Sequence, residues 1–269
     1  MKRRFSTVFL GLLCVSGSSS CVRDALPVLP EARFTADATC SAESCDSVPR
    51  LVEPTAPASL WSVRFEGGTM KLPANPALDW YGLVLRGQLT VDGCGALGPW
   101  HAYRVIGGGV SVKGLADAIV GVAADSALGA ALPSSSGKVG RCEAIDLRAL
   151  ADVNWAGGQA HGRLAFRSGK AYFGLFYSDP GVSAALHTHP REWEVVYVLR
   201  GSGEVTVVDE IGPLMAGTSY AFGPGRMHGY KSEGGAPTVA VQMFSPPGPE
   251  QRFVDLAAGA VPLVIRLTP

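Results

Sequence analysis

Two of the chain's five histidines, His187 and His189, are separated by one residue and precede Glu194 in the segment GVSAALHTHPREWEVVYVLRG, residues 181–201. Residues two apart in a β-strand point to the same face, so we expect the two imidazoles to project together. Pro190 predicts a turn, after which Glu194 can face the same interior. Imidazole nitrogens with one carboxylate suit a divalent metal such as Mn, Fe, Co, Ni, Cu or Zn. The segment therefore predicts a metal site, and the alternative is a polar strand face with an isolated acid.

A candidate fourth ligand, His228, lies in the segment GPGRMHGY, residues 223–230. The glycine-rich turn before it can release a strand whose first inward residue is this histidine. Tyr230 lies two residues further and should share its face. Tyr230 can support the ligands or donate a proton, but we favour the alternative that it is an aromatic residue packed near the barrel mouth. Tyr172 and Phe176, four residues apart on one strand, and Met243 are expected to line the same interior.

Short alternating apolar runs, closed by glycine or aspartate, occur in two series, residues 59–125 and 161–245. These are signals of strands and turns in an antiparallel sandwich or barrel. A convincing helix start lies between the series, in the segment EAIDLRALAD, residues 143–152. The pattern predicts an all-β protein.

The two series resemble one unit used twice. The segment that begins at Asp79, DWYGLVLRGQLTV, aligns with the segment that begins at Trp193, WEVVYVLRGSGEVTV, and Gly87 then corresponds to Gly201. A repeat this long is not a solenoid unit, so duplicated domains are the natural interpretation. We expect two tandem β-barrels.

The histidine segment and the His228 segment resemble the two sequence motifs of the cupin superfamily. The glycines and ligands of the motifs are Gly181, His187, His189, Glu194 and Gly201 for the first, and Gly217, Gly223, Gly225 and His228 for the second. Two positions depart from the pattern, because Gly223 stands where proline is usual and Ser232 stands where asparagine often closes the motif. The resemblance implies a jelly-roll barrel, also called a double-stranded β-helix, and one divalent metal ion held by His187, His189, Glu194 and His228.

The first series lacks these ligands. Pro73, Asn75 and Trp80 stand where the second series has its two histidines and glutamate, and His101 alone cannot hold a metal tightly. The chain therefore resembles a bicupin with one intact site. We predict a signal peptide at residues 1–20, a flexible tether at 21–57, a degenerate cupin barrel at 58–138 and a metal-binding cupin barrel at 139–269.

The N-terminus predicts export, because the basic residues MKRR precede an apolar run that is too short to span a bilayer. Cys21 follows small residues and resembles the lipid-attachment cysteine of bacterial lipoproteins, although Ser18 departs from the aliphatic residue usual there. A lipid on Cys21 would attach the protein to a membrane, as in a periplasmic or outer-membrane lipoprotein. Simple signal cleavage and secretion is the alternative.

Four cysteines remain beyond the signal and Cys21, which permits two disulfides in an oxidising compartment. Three pairings are open, and we favour Cys40 with Cys45 and Cys94 with Cys142. The first pair lies in a loose segment, and the second would tie the first barrel together. Structural zinc is a poor fit to this spacing.

The chain has 23 basic and 23 acidic residues, so no net field favours a nucleic-acid partner. An open metal site favours an enzyme. The cupin resemblance implies a metal-dependent oxidoreductase, either a dioxygenase or an oxidative decarboxylase, that acts on a small organic acid or phenolic compound as its small-molecule substrate. A non-catalytic module that binds a small molecule through the metal is the alternative, and a structural barrel with a vestigial site is a third. The sequence leaves open the metal, the substrate and whether exposed barrel edges pair into a homo-oligomer.

Overall fold

The computed structural model describes residues 38–40, 56–128, 140–208 and 210–259. The predicted signal peptide, Cys21, most of the predicted tether and Cys45 lie outside the described residues. The predicted pairing of Cys40 with Cys45 therefore stays a prediction.

The first half forms a seven-stranded sheet. Its path runs β1-β2-β6-β3-β5-β7, with β4 paired to β3, and the pairs are antiparallel except for β1 with β2. The strands are β1 (Ala38–Cys40), β2 (Ala58–Leu72), β3 (Leu78–Val91), β4 (Gly95–Leu97), β5 (His101–Ile106), β6 (Val110–Ala124) and β7 (Arg141–Asp146).

The second half forms two sheets, one of six strands and one of four. Their orders are β15-β12-β17-β10-β9-β8 and β11-β16-β13-β14. The strands and the helix are β8 (Val153–Trp155), β9 (Ala160–Arg167), β10 (Tyr172–Ser178), β11 (Ser183–His187), β12 (Trp193–Arg200), β13 (Ser202–Val207), β14 (Glu210–Met215), β15 (Ser219–Phe222), β16 (His228–Glu233), β17 (Thr238–Ser245) and α1 (Gln251–Ala257).

The strand pairing of the first half is repeated in the second. The pair β2–β6 corresponds to β10–β17 together with β11–β16, and the pair β3–β6 corresponds to β12–β17 together with β13–β16. The pair β3–β4 corresponds to β13–β14, and the pair β3–β5 corresponds to β12–β15. Long strands of the first half are thus divided in the second. The all-β fold class that the sequence predicts is confirmed, and the described strands repeat one unit.

The same irregularity occurs at the same place in both copies. The ladder shifts register between Val84 and Arg86 in the first half, and between Val198 and Arg200 in the second. Gly87 and Gly201 follow, with φ of 74° and 93°. A Cβ on Gly201 would lie 2.6 Å from the Cα of Thr238, so glycine is required for both conformation and space.

Alternate residues of the central strands pack into two different cores. On β3, Trp80 and Val84 fill the interior of the first half, while Tyr81 and Leu83 pack against the second half. The second half contributes side chains of β10, β12 and β17 to this shared layer, which we call the interface core. Met243 packs in the interface core, so the prediction that it lines the barrel interior was wrong. Adjacent strand residues face opposite ways, and its neighbours Gln242 and Phe244 are the residues that face the interior cavity of the second half.

Specific contacts join the two halves across the interface core. The ring of Tyr81 stacks on that of Phe173 at a centroid distance of 5.5 Å. The Lys170 ammonium lies 3.2 Å from the buried Asp79 carboxylate. The halves are therefore packed as one body through both apolar and charged contacts.

Strand β7 extends the first sheet past the domain boundary that we predicted between residues 138 and 139. Its residues pair with β5, and the Arg104 guanidinium donates to the Glu143 carboxylate at 2.6 Å. The helix predicted in residues 143–152 is wrong, because this segment continues β7 and then forms a 3-10 turn at Leu147–Ala149. Pairing with an open sheet edge outweighs the local helical pattern here.

The structure joins Cys94 and Cys142 by a disulfide with a Cα–Cα distance of 5.4 Å. The bridge links the turn after β3 to the start of β7, and both cysteines pack against the core of the first half. Among the described residues, no helix combines the length and the apolar character needed to cross a membrane.

Replacing both bridge cysteines with alanine should destabilise the chain. The bridge closes a loop of sequence separation 48, and losing a native disulfide of this kind lowers the free energy of unfolding by about 2–5 kcal/mol. Urea unfolding of Cys94→Ala/Cys142→Ala beside the parent chain, both without reductant, measures the difference. Equal unfolding midpoints would contradict the structural role of the bridge.

Candidate metal centre

The four predicted ligands come from three strands and one loop of the second half. His187 ends β11, His189 lies in the loop that follows, Glu194 is the second residue of β12, and His228 begins β16. The pairing of β11 with β16 places His187 opposite His228. One potential ligand atom from each residue lies within 4.8 Å of the others. The structure thus brings all four together.

A single carboxylate oxygen holds two of the histidines. The Oε2 atom of Glu194 lies 3.0 Å from Nε2 of His189 and 2.9 Å from Nε2 of His228. Glu194 is 7% exposed and His228 is 3% exposed. A buried carboxylate of this kind needs positive partners, which protonated imidazoles or a cation can supply.

Backbone carbonyls orient two of the rings. Nδ1 of His187 lies 2.8 Å from the carbonyl oxygen of Ala185, and Nδ1 of His228 lies 2.9 Å from that of Arg226. A carbonyl only accepts, so each Nδ1 donates and each Nε2 faces the centre. Support of this kind fixes ring orientation at metal sites.

Aromatic packing restrains the rings further. Phe222 stacks on His228, with centroids 4.2 Å apart and planes 3° from parallel. The rings of Phe244 and His189 pack in a T-shaped arrangement, with centroids 5.3 Å apart and planes at 68°. These contacts place a set of imidazole and carboxylate groups that fits a divalent metal ion of the Mn to Zn series.

The titration of the cluster reflects the shared carboxylate. Burial opposes the charge of Glu194, yet hydrogen bonds and positive charge from His189 and His228 lower its pKa far below the ordinary value. Burial also opposes charge on His228, but its bond to Glu194 raises its pKa. Burial lowers the pKa of His187. Without a metal, His228 therefore retains a proton more readily than His187.

Gln242 is a functional candidate that the motif analysis missed. Its Nε2 donates to Oε1 of Glu194 at 2.6 Å, so both carboxylate oxygens have partners. Its own Oε1 is buried without a hydrogen-bond partner among the described residues. A polar residue at a cavity-facing position of the apolar strand TVAVQMFS was the available signal.

The cluster opens into a cavity of about 710 Å³, which lies within the roughly 300–1,000 Å³ typical of small-molecule sites. Phe176 and Tyr230 both line it, and their rings meet edge to face at 5.4 Å. Burial raises the pKa of the Tyr230 phenol well above its ordinary value. Tyr230 therefore stays protonated at neutral pH and can only donate or accept a hydrogen bond as a neutral group.

Helix α1 and strand β8 cover one side of the cavity. The Trp155 indole stacks on the Phe253 ring, with centroids 4.7 Å apart and planes 9° from parallel. Both residues and Leu256 line the cavity. The helix therefore contributes apolar side chains to the wall rather than ligands.

The corresponding place in the first half is filled. Trp80, which replaces the glutamate, donates from Nε1 to the carbonyl oxygen of Pro73 at 3.1 Å. Asn75 accepts from the backbone N–H of Ala77 at 2.8 Å. The strand register puts Val110 in place of the third histidine, where it packs in the core of this half. The four positions that correspond to the ligands are thus occupied by Pro73, Asn75, Trp80 and Val110, which do not form a metal site.

The described strands repeat one jelly-roll pairing, and one copy encloses a cluster of three histidines and a glutamate that could hold a metal ion. Residues 174–244 match the cupin domain family, and the cupin resemblance of the sequence motifs is confirmed. No curated protein matches the chain.

Solved structures show the same fold. A variant of the oxalate decarboxylase of Bacillus subtilis is 15% identical, over 71% of this chain and 69% of that chain, with a TM-score of 0.53. The oxalate decarboxylase of Bacillus subtilis at pH 4.6 is 14% identical over 71% and 68%, with a TM-score of 0.51. At these identities the likeness concerns the fold alone.

The chain purified without chelator or affinity metal should contain about one equivalent of a divalent metal, as expected for a single site with four protein ligands. His187→Ala/His189→Ala should lose nearly all of it, because half of the ligands are removed. Elemental analysis measures the content. The matched control is His101→Ala, which removes a histidine of the first half and should leave the content unchanged. Equal metal in all three proteins, or in none, would contradict the site.

The metal-free chain should become less stable as the pH rises above about 6.5, the ordinary histidine pKa. The raised pKa of His228 adds stability that is complete below that value and is lost as the pH passes the folded pKa. The lowered pKa of His187 acts on the acid side, where stability instead rises with pH. Urea unfolding at a series of pH values on both sides of about 6.5 measures how the free energy of unfolding changes with pH.

Glu194→Gln removes the charge that raises the pKa of His228, so the decline of stability on the alkaline side should disappear. In the parent chain, metal affinity should rise with pH, whereas the stability of the metal-free chain falls, because the ligands must lose their protons before they bind the ion. An unchanged alkaline slope in Glu194→Gln would mean that another group titrates there.

Proposed function

We propose that the chain is an exported, metal-dependent oxidoreductase, a dioxygenase or an oxidative decarboxylase, acting on a small organic acid or phenolic compound. One observation carries the proposal: four side chains of metal-ligand type converge inside the cavity of one half, while the other half fills the same positions. A site with four protein ligands leaves room for substrate on a five- or six-coordinate metal.

Each residue of the centre has a defined task in this proposal. His187, His189, Glu194 and His228 would hold the ion, which supplies Lewis-acid or redox chemistry when bound. Glu194 offsets one unit of positive charge, and Gln242 fixes the direction of its carboxylate. The apolar walls exclude water and so strengthen charge interactions inside the cavity. Tyr230 offers a neutral O–H group at the cavity wall.

A non-catalytic binding module is the second candidate. Apart from the four candidate ligands, the titratable side chains among the cavity-lining residues are the two tyrosines, Tyr220 and Tyr230, and Arg252. Such a wall offers few groups for general acid or base catalysis. That composition favours a protein that binds a small molecule through the metal and releases it unchanged.

Export remains part of the proposal, with Cys21 as the site of lipid attachment. The disulfide between Cys94 and Cys142 supports an oxidising compartment. The chain would then meet its substrate outside the cytoplasm, either attached to a membrane or free after signal cleavage. A homo-oligomer formed by pairing of exposed sheet edges is compatible with this proposal.

The metal-loaded protein should consume oxygen or release carbon dioxide with a substrate from a panel of organic acids and phenols. An oxygen electrode and a carbon dioxide assay measure the two outcomes. Glu194→Gln should lower kcat/KM by more than the roughly 10–100-fold that loss of a supporting contact costs, because a ligand itself is changed. His101→Ala serves as the control and should keep full activity. Saturable binding without turnover of any compound would favour the binding module.

A further inference from the structure

The cavity wall is apolar over most of its extent. Aromatic and aliphatic side chains from both sheets and from α1 line it, among them Phe176, Val196, Val198, Leu214, Phe244 and Phe253. A two-carbon acid would leave most of a 710 Å³ space without contacts. A ligand with a ring-sized apolar body would bury its surface against this wall, at about 25 cal/mol for each Å² removed from water.

The charge inside the cavity suits one negative charge on the ligand. Glu194 and Arg252 are the charged side chains among the lining residues, and Arg252 is exposed on α1. A divalent metal beside Glu194 leaves one net positive charge to be offset. A dianion would bring a second negative charge into an apolar space without a buried cation to compensate it, which is unfavourable.

Gln242 adds a requirement for a hydrogen-bond donor. Its Nε2 is committed to Glu194, so its Oε1 is the end that remains, and this buried acceptor has no partner among the described residues. Gln242 lines the same cavity as the ligands. A buried acceptor costs free energy until a donor reaches it. Oε1 is enclosed rather than exposed to the cavity, so a ligand hydroxyl close to the metal would satisfy it only when the Gln242 amide turns toward the cavity on binding.

The duplicated half gives an internal comparison for Gln242. Val196 pairs with Gln242, and Gly82, the matching residue of the first half, pairs with Val120. Val120 packs in the filled core of that half. The polar side chain therefore accompanies the ligand cluster and its cavity, whereas the filled copy has valine.

We propose that the substrate is a hydroxylated aromatic compound with an apolar body, which binds the metal through one anionic oxygen and donates a neighbouring hydroxyl to Oε1 of Gln242. This inference rests on the proposed function and narrows its substrate class to phenols of the catechol type. It excludes dicarboxylates such as oxalate as the preferred ligand. Gln242 is then a specificity-determining residue as well as a support for Glu194.

Calorimetric titration of the whole chain loaded with Zn²⁺, without oxygen, tests the inference with three probes. They are a phenyl-substituted catechol, its mono-O-methyl ether and oxalate. The catechol should bind at least about tenfold more tightly than oxalate, since a buried ring contributes more than a tenfold factor in affinity. Metal content is measured before each titration, so a missing metal counts against the proposed function and not against the substrate class.

Gln242→Leu removes the proposed acceptor and also the contact with Glu194. A ratio of two probe affinities cancels the second effect, because both probes bind the same metal. The affinity ratio of the catechol to its methyl ether should fall about five- to tenfold in this variant, the usual effect of one neutral hydrogen bond. Thr238→Val is the matched control, because Thr238 is a cavity-lining residue of the same strand and its hydroxyl already pairs with Ser232 at 2.6 Å. The ratio should not change in the control.

Ala240→Phe provides a second test that leaves the ligands and Gln242 in place. Ala240 lines the cavity, so a larger side chain there should weaken binding of the phenyl-substituted catechol more than binding of oxalate. Tighter binding of oxalate by the parent chain, or an unchanged ratio in Gln242→Leu, would overturn the substrate class. Turnover of oxalate without binding of the catechol would do the same while keeping the oxidoreductase proposal.

Discussion

The carboxylate of Glu194 is the constraint on which the centre depends. It is buried, it accepts from two imidazoles through one oxygen, and it accepts from Gln242 through the other. A carboxylate in such a place is costly unless its partners are complete. The positions of His189, His228 and Gln242 are therefore coupled, and the surrounding phenylalanines hold the rings where that carboxylate needs them.

The two halves of the chain show how one backbone plan supports either a site or a core. Both copies share strand pairing, the same register shift and a glycine of positive φ directly after it. In the first half, Trp80 fills the place of Glu194 and pairs with a backbone carbonyl. The fold therefore does not require the metal cluster, and the cavity lies in the half where a glutamate stands in the place of the indole.

Motif spacing and glycine positions predicted much of this arrangement. The pair His187 and His189, the glutamate and His228 could be placed together because strand periodicity and tight turns determine where their side chains project. Gln242 could not be found by a motif, since its task depends on which strand lies beside β12. The edge strand β7 was missed because tertiary packing sets the order of strands in a sheet. The direction of Met243 was missed because both faces of its strand are buried, so an apolar residue fits either face.

The interface core has a consequence for folding. Strands β3, β10, β12 and β17 each contribute one face to it, so neither half has its full complement of buried surface when separated from the other. Asp79 would lose its cation and Phe173 its stacking partner. Such shared burial favours a single cooperative unfolding transition for the described body rather than two independent ones. The half without ligands then acts as an internal scaffold, whose sequence is constrained by the thermodynamics of its neighbour.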